Sequence, residues 1–166
     1  MRTIVTWVNG VRHFVFEEEK EGEIKIGIDT NVLVHLFENA EKMNLFKDEG
    51  YILCVTQKCV EELRKQIEKL NLKDANTKQV ADRFLNNNNM YIVYGEASRE
   101  DVRAFEKKCQ KAGINCHWPD SEIILSFKKE GIERVYSQDN NFRKAAEFLG
   151  LKVEKFDFFK NEKFRT

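Results

Sequence analysis

The sequence predicts an α/β fold of three layers (α/β/α), with helices on both faces of a central, mostly parallel sheet. Two observations predict it. Apolar runs typical of strands alternate with segments of helical periodicity between residues 24 and 156, and this alternation is the pattern of a parallel sheet covered on both faces. In addition, acidic residues fall where strands end or helices begin, and in such folds the carboxyl edge of the sheet binds ligands.

The length and the composition predict one domain. The chain has 166 residues, 42% of them hydrophobic, which is the size of an ordinary domain with enough apolar material for a continuous core. We therefore expect a single domain over 1–166, with an N-terminal β-hairpin at 1–16, a core at 24–156 and a tail at 157–166.

The chain begins with two β-rich runs, residues 3–8 and 11–16, separated by Asn9-Gly10. An Asn-Gly dipeptide adopts the positive φ angles of a two-residue turn and is the strongest short-range signal of a hairpin. The hairpin is a candidate dimer surface, a candidate substrate surface, or only an extra layer at the edge of the sheet.

The first half of the core is predicted to contain strands at 24–29 and 51–55, each followed by a helical run. Thr56 is a good N-cap, and apolar residues recur after it at helical spacing. The next helix, 72–85, leads into a run of four asparagines that predicts a loop.

The second half of the core alternates in the same way. Ser98 begins a helix with a sequence like a capping box, and Gly113 closes it. Pro119 stands where the following helix begins, since its missing N–H is no loss there. The last helix, 140–149, is closed by Gly150. The predicted strands are 90–94, 132–137 and 151–156.

Charge and cysteine content exclude several classes of protein. Lysine plus arginine equals aspartate plus glutamate at 28 each, so any polyanion must be held by a local patch rather than by a general basic field. The cysteines lack the paired short spacings of zinc or redox motifs and are expected to be buried thiols of a reducing compartment. With no signal-peptide pattern and no long apolar run, a cytoplasmic protein without membrane contact is expected. The cysteines are Cys54, Cys59, Cys109 and Cys116.

Acidic residues at four places are candidates for a site. Asp29 ends the first core strand and Asp139 follows a later one, although each could also be an ordinary helix cap. Asp120 lies on the apolar stripe of its helix, an inward position where an unpaired charge is costly. Glu61 and Glu62 both lie off the apolar stripe, so helical position does not choose between them.

In this order the acids and their neighbours resemble the PIN-domain nucleases. The resemblance rests on Asp-Thr-Asn at 29–31, Val-x-Glu-Leu at 60–63, Asp120 at a helix start, and Ser-x-Asp-x-x-Phe at 137–142. It extends over 24–156, nearly the whole chain apart from the hairpin and the tail. No single motif is decisive, and their order carries the resemblance.

The resemblance implies which residues form the site. The motif at 60–63 selects Glu62 rather than Glu61. Where many members of the family have a further acid, this chain has Asn140 and Asn141, so the resemblance does not extend to a fifth carboxylate or to the affinity for a second metal. The implied catalytic and metal-binding residues are Asp29, Glu62, Asp120 and Asp139, and the residues that would orient carboxylates or water are Thr30, Asn31 and Ser137.

Carboxylates suit the chemistry that the family performs. Mg²⁺ and Mn²⁺ prefer oxygen ligands, and a bound metal helps a water molecule to attack a phosphodiester and offsets charge on the leaving oxygen. We therefore expect Mg²⁺ or Mn²⁺ as the cofactor. Basic residues near the acids in sequence could contact phosphates, although each could also be ordinary surface charge. They are Arg64, Lys65, His117 and Arg143.

The expected function is that of a metal-dependent endoribonuclease acting on single-stranded RNA. Alternatives are a non-catalytic PIN scaffold that binds RNA or a protein, and a nuclease specific for DNA structures. Expected partners are RNA, an antitoxin-like or other protein as in toxin–antitoxin modules, and a second copy of the chain. A phosphotransfer domain is a third class, but it needs adjacent or alternating acids at the first strand end, and 29–31 supplies only Asp29.

Overall fold

The computed structural model describes residues 2–8, 11–17, 24–47, 50–70, 76–93 and 97–155. These residues form a three-layer α/β/α fold around a seven-stranded sheet. The strands are β1 (Arg2–Val8), β2 (Val11–Glu17), β3 (Ile24–Ile28), β4 (Tyr51–Thr56), β5 (Tyr91–Val93), β6 (Arg134–Tyr136) and β7 (Lys152–Glu154).

Helices connect the strands of the core. They are α1 (Thr30–Glu38), α2 (Asn44–Lys47), α3 (Gln57–Lys69), α4 (Thr77–Asn87), α5 (Arg99–Lys111), α6 (Asp120–Lys129) and α7 (Asn140–Phe148), with a 3-10 turn at Ala40–Met43. Within the described residues, no helix combines the length and the apolar character needed to cross a membrane.

The order of the strands decides where a site can form. Across the sheet the order is β1-β2-β5-β4-β3-β6-β7, with β1 antiparallel to β2 and every other neighbouring pair parallel. The chain runs outward from β3 through β4 to β5 and then returns to β6 on the other side of β3. The carboxyl ends of β3, β4 and β6 therefore meet where the strand order reverses, the usual ligand crevice of open α/β sheets.

The predicted hairpin joins this sheet at its edge. Strands β1 and β2 pair antiparallel from Arg2 opposite Glu17 to Val8 opposite Val11, and β2 pairs in parallel with β5 through His13 and Phe14. The Asn-Gly turn and the tail after residue 155 lie outside the described residues. The hairpin thus extends the sheet on the side of β5, away from β6.

The helix that leads to the asparagine run is longer than predicted at its carboxyl end. The sequence predicts a helix at 72–85, whereas α4 covers Thr77–Asn87, and 71–75 lie outside the described residues. The side-chain amide of Asn88 donates to the Phe84 carbonyl (2.8 Å), which satisfies a free carbonyl of the last turn. Asn89 then adopts φ +53°, so asparagines end the helix rather than forming a separate loop.

The segment between α1 and β4 also differs from the prediction. The sequence predicts no element there, whereas the structure has the 3-10 turn and the short helix α2. Met43 and Phe46 are buried in the core, so this segment is held by tertiary packing. Elements of one turn have little intrinsic stability, which is why the sequence pattern does not indicate them.

Close packing of α6 on β3 fixes the position of the site. Gly27 lies in the middle of β3, and a Cβ atom there would come within 2.9 Å of three ring carbons of Phe127 in α6. Phe127 is completely buried. The absence of a side chain at Gly27 therefore allows this ring to lie directly on the strand, and α6 carries Asp120 at its first residue.

Candidate active site

Asp29 is the buried centre of the candidate site. It follows β3, and its N–H donates to the Tyr136 carbonyl (3.0 Å), which continues the pairing of β3 with β6. Its Oδ1 accepts from the Thr30 N–H (2.7 Å), so Asp29 is also the N-cap of α1. Its Oδ2 accepts from the Ser137 hydroxyl (2.8 Å) and from the Asn31 amide (3.2 Å). The carboxylate of Asp29 thus caps α1 and also lines the candidate site.

Ser137 and Asn31 connect the ends of β3 and β6. Ser137 is fully buried, and its hydroxyl oxygen accepts from the Asn31 amide (3.3 Å) and from the Asp139 N–H (3.0 Å). The Asn31 side-chain carbonyl accepts from the Gln138 N–H (3.2 Å). This network orients Asp29 and holds the loop that carries Asp139.

Glu62 enters the site from α3. Thr56, at the end of β4, caps this helix by accepting from the Cys59 N–H (3.2 Å), as the sequence predicts. Glu62 accepts from the Thr30 hydroxyl (2.9 Å) and lines the cleft with Asp29. Glu61 instead pairs with Lys58 (3.3 Å) and is not among the residues that line the cleft. Of the two glutamates between which helical position does not choose, Glu62 is thus the one that lines the cleft.

Asp120 and Asp139 complete the acidic lining. Asp120 is the first residue of α6 and half-buried. Asp139 is exposed and caps α7, because its Oδ1 accepts from the Asn141 N–H (2.8 Å) and the Phe142 N–H (3.2 Å). All four acids line one cleft of about 480 Å³ at the carboxyl edge of the sheet.

Burial and neighbouring acids raise the pKa of Asp29 and of Asp120. Burial, followed by the charge of Asp120, raises the pKa of Asp29 to about 7, although hydrogen bonds from Ser137 and Thr30 act in the opposite direction. Burial, followed by the charges of Asp139 and Glu62, raises the pKa of Asp120 to about 6. The causes of these two pKa shifts are burial, hydrogen bonds and neighbouring carboxylates, and none of them is a positive charge. The ionised forms of Asp29 and Asp120 are therefore unfavourable without a compensating cation.

This donor set fits a hard divalent cation. It consists of carboxylate oxygens that repel one another, and Mg²⁺ and Mn²⁺ are bound through one or two carboxylates together with several waters. Among the described residues, no three aspartate, glutamate, histidine or cysteine side chains stand close enough together to form a ready-made metal site. A metal bound here would thus need water ligands or small side-chain rotations.

The residues proposed to contact phosphates lie outside the lining of this cleft, within the described part of the chain. Arg64 pairs with Asp82 of α4 (3.2 Å), and Arg143 donates to the Ser137 carbonyl (2.8 Å) and the Asn140 side chain (3.4 Å). Lys65 and His117 are exposed on the surface. Arg143 thus supports the loop of Ser137, and the other three stay as candidates for a longer substrate.

The cleft also contains residues that the sequence analysis did not select. Val34, His35 and Glu38 of α1 and Gln66 of α3 line it. Gln66 follows Glu62 by one helical turn, so spacing along α3 could have indicated it. His35 lies 3.1 Å from the Lys42 ammonium, and burial followed by the Lys42 charge lowers its pKa. No local motif indicates His35.

Comparisons with known proteins agree with this architecture. The PIN domain family model matches residues 26–148. No curated protein matches the sequence.

Solved structures share the fold at low identity. One is the structure of VapBC2 from Rickettsia felis bound to a promoter DNA fragment. It has a TM-score of 0.62 at 15% identity, covering 81% of this chain and 100% of that chain. VapBC-1 from nontypeable Haemophilus influenzae has a TM-score of 0.58 at 14% identity, covering 82% and 100%. FitAcB from Neisseria gonorrhoeae has a TM-score of 0.52 at 17% identity, covering 81% and 99%. On the match over residues 26–148, the chain belongs to the PIN-domain family of nucleases.

Proposed function

We propose that the protein is an endoribonuclease that hydrolyses phosphodiester bonds in single-stranded RNA with the help of Mg²⁺ or Mn²⁺. PIN-domain nucleases generally depend on divalent metals, which supports the metal dependence. The observation that carries the proposal is the shared cleft of Asp29, Glu62, Asp120 and Asp139 at the switch point of the sheet. Acids without a compensating cation are costly to bury, so their presence calls for a function.

Each acid would have a distinct part in the site. A divalent metal, when bound, would lower the pKa of a water molecule and offset charge on the scissile phosphate. Asp29 would be the principal ligand, because Ser137 and Asn31 hold its Oδ2 in place. Glu62 would be oriented by Thr30. Asp120 and Asp139 line the same cleft and would bind metal or orient the attacking water.

A protein partner of the antitoxin type is the second part of the proposal. The similar structures of VapBC2, VapBC-1 and FitAcB are complexes of the toxin–antitoxin type. A nuclease with an open acidic cleft would need control in the cell, and such a partner would supply it. Co-purification from the source cells tests for this partner, and size-exclusion chromatography of the isolated protein tests for a homodimer.

Cleavage of an unstructured RNA by the purified protein tests the activity. We expect cleavage with Mg²⁺ or Mn²⁺, loss of cleavage in chelator, and a decrease of at least about 100-fold in Asp29→Asn and Glu62→Gln, because metal catalysis contributes several kcal/mol and each 1.36 kcal/mol is tenfold in rate. Glu61→Gln is the matched control on the same helix and should retain activity. A duplex or flap DNA of equal length tests the specificity.

The outcomes separate the candidate functions. Cleavage that survives both chelator and Asp29→Asn would contradict the proposal. RNA binding without cleavage would favour the non-catalytic scaffold, and preferential cleavage of flap DNA would favour the DNA-structure-specific nuclease. A second measurement does not depend on activity: Mg²⁺ or Mn²⁺ should raise the melting temperature of the wild type by mass action and raise that of Asp29→Asn less.

A further inference from the structure

A second cavity, of about 420 Å³, lies beside the start of α6. Its lining includes Arg99 and Arg103 from α5 and Trp118 and Glu122 from the α6 region. Trp118 and Glu122 flank Asp120 in sequence. The Cα atoms of Trp118 and Glu122 therefore lie within about 7 Å of that of Asp120, which lines the acidic cleft.

Trp118 is both exposed and held in place. The side chain keeps 57% of its surface exposed, although its indole N–H donates to Oε2 of Glu122 (3.0 Å). The ammonium group of Lys58 lies 4.2 Å from the ring centroid, over the ring. A large apolar ring that is fixed but still exposed is a preorganised surface for stacking.

Two arginines and two glutamates line the cavity, and the arginines are the groups that can hold a phosphate. The carboxylate of Glu122 is bonded to the indole, and that of Glu106 accepts from the Ser121 hydroxyl (2.6 Å). Arg99 and Arg103 are exposed and one helical turn apart on α5. No ion pair of either arginine occurs in the part of the chain that the structure describes. The two carboxylates are held on the side of α6 by Trp118 and Ser121, and the two guanidinium groups on α5 are left as donors for a phosphate.

We propose that this cavity binds one nucleotide of the single-stranded substrate, with its base stacked on Trp118 and its phosphate held by Arg99 and Arg103. The inference rests on the proposed nuclease function, since the acidic cleft next to it would hold the scissile phosphate. Stacking on an aromatic ring combined with arginine contacts is the usual way to bind single strands without reading their sequence. Protein interfaces also use tryptophan and arginine, so a protein partner is one outcome of the test below.

The fluorescence of Trp118 gives a direct test. The chain has two tryptophans, so in a Trp7→Phe variant the emission reports Trp118 alone. Asp29→Asn in the same chain prevents cleavage during the titration. We expect a short single-stranded RNA to quench the emission in a saturable way, and single-stranded DNA of the same sequence shows whether the 2′-hydroxyl contributes.

Substitutions then separate stacking from charge. Binding of a fluorescein-labelled RNA should weaken about tenfold or more in Trp118→Ala, because stacking of one base contributes an effect of this order, and Trp118→Phe should recover much of it. Arg99→Ala and Arg103→Ala should each lower the slope of log affinity against log salt by about 0.7 if each loses one phosphate contact. Lys108→Ala removes the same charge from an exposed position of α5 outside the cavity and should change the slope less.

The outcomes distinguish this inference from the nuclease proposal. Unchanged RNA affinity and salt dependence in Trp118→Ala and Arg103→Ala, with RNA cleavage intact, would overturn the nucleotide site and leave the nuclease proposal standing. Quenching and weakened binding in a protein that cleaves no RNA would support the site and overturn the nuclease. RNA that leaves the emission unchanged, while a co-purified protein partner quenches it, would assign the cavity to that partner and overturn the inference.

Discussion

The hydroxyl of Thr30 donates a hydrogen bond of 2.9 Å to Oε1 of Glu62, a residue 32 positions further along the chain. This contact joins the N-terminus of α1 to the second turn of α3 and holds Glu62 in the cleft with Asp29. An ordinary N-terminal threonine of a helix would bond within its own turn. Here the hydroxyl of Thr30 bonds to Glu62 instead, and the N–H of the same residue donates to Asp29. Thr30 thus connects two carboxylates of the candidate site.

Replacing Thr30 should therefore lower activity more than stability. Thr30→Val keeps the shape but leaves Glu62 unoriented, so we expect RNA cleavage to fall about 10–100-fold and the free energy of unfolding to fall by about 1 kcal/mol. Thr30→Ser keeps the hydroxyl and should retain most activity. Cleavage rates and thermal melts of the three proteins check this, and a Thr30→Val protein with the wild-type rate would contradict it.

Two substitutions of Asp139 should separate its role as the N-cap of α7 from its role in RNA cleavage. Asparagine caps helices as well as aspartate does, and Asp139→Asn also removes a charge that repels Asp120. The variant should therefore be at least as stable as the metal-free wild type while losing cleavage. Asp139→Ala should lose cleavage and also about 0.5–2 kcal/mol of stability. Urea denaturation and cleavage assays measure the two effects independently. If Asp139→Asn stayed fully active, the residue would be a cap and nothing more.

Neutralising Asp120 should stabilise the metal-free protein. Burial and the neighbouring acids raise the pKa of Asp120 to about 6, so its ionised form is unfavourable in the folded state. Asp120→Asn should raise the melting temperature in chelator by about 2–4 °C for each kcal/mol of repulsion removed while abolishing activity. A favourable interaction of Asp120 with the helix dipole, about 0.3–1 kcal/mol, opposes this gain. A mutant that melts below the wild type would show that capping and packing outweigh the repulsion.

The stability of the metal-free protein should decrease as pH rises through the acidic range. The pKa of Asp29 is raised from 3.8 to about 7 and that of Asp120 from 3.8 to about 6. Between pH 4 and 7 the folded state thus binds more protons than the unfolded state, so this contribution to stability falls with rising pH. Divalent metal favours the ionised form and should stabilise more at pH 8 than at pH 5.

Thermal melts at pH 5, 6, 7 and 8, with chelator and with Mg²⁺, measure this dependence. Asp120→Asn is the control, because removing its charge should flatten the profile of the metal-free protein. Equal stabilisation by Mg²⁺ at pH 5 and pH 8 would be inconsistent with metal binding to these carboxylates.

A side chain at Gly27 should destabilise the packing of α6 on β3. In Gly27→Ala the new Cβ would meet the Phe127 ring at 2.9 Å, and overpacking of a core typically costs about 1–3 kcal/mol. Phe127→Leu in the same chain should reduce the cost of Gly27→Ala, because the smaller side chain yields space. Urea denaturation of both single variants and the double variant gives the coupling, and additive effects would contradict the proposed contact.

The sequence determines the elements whose signals are local. Caps at Thr56, Ser98 and Asp139 begin the helices where expected, because a capping side chain acts within its own turn. The strand positions also follow from the alternation of β-rich and helical segments. The strands β6 and β7 are shorter than the predicted ranges 132–137 and 151–156, because pairing with neighbours, not composition, sets where a strand ends.

The tertiary structure alone decides what the acids do together. Asp29 and Asp139 are helix caps by local signals, and only the reversal of strand order between β3 and β6 brings both into one cleft with Glu62 and Asp120. The distinction between Glu62 and Glu61 likewise depends on Thr30, a partner far away in sequence. Local patterns specify residues within a few positions of each other, whereas a site built at the edge of a sheet depends on contacts between distant segments.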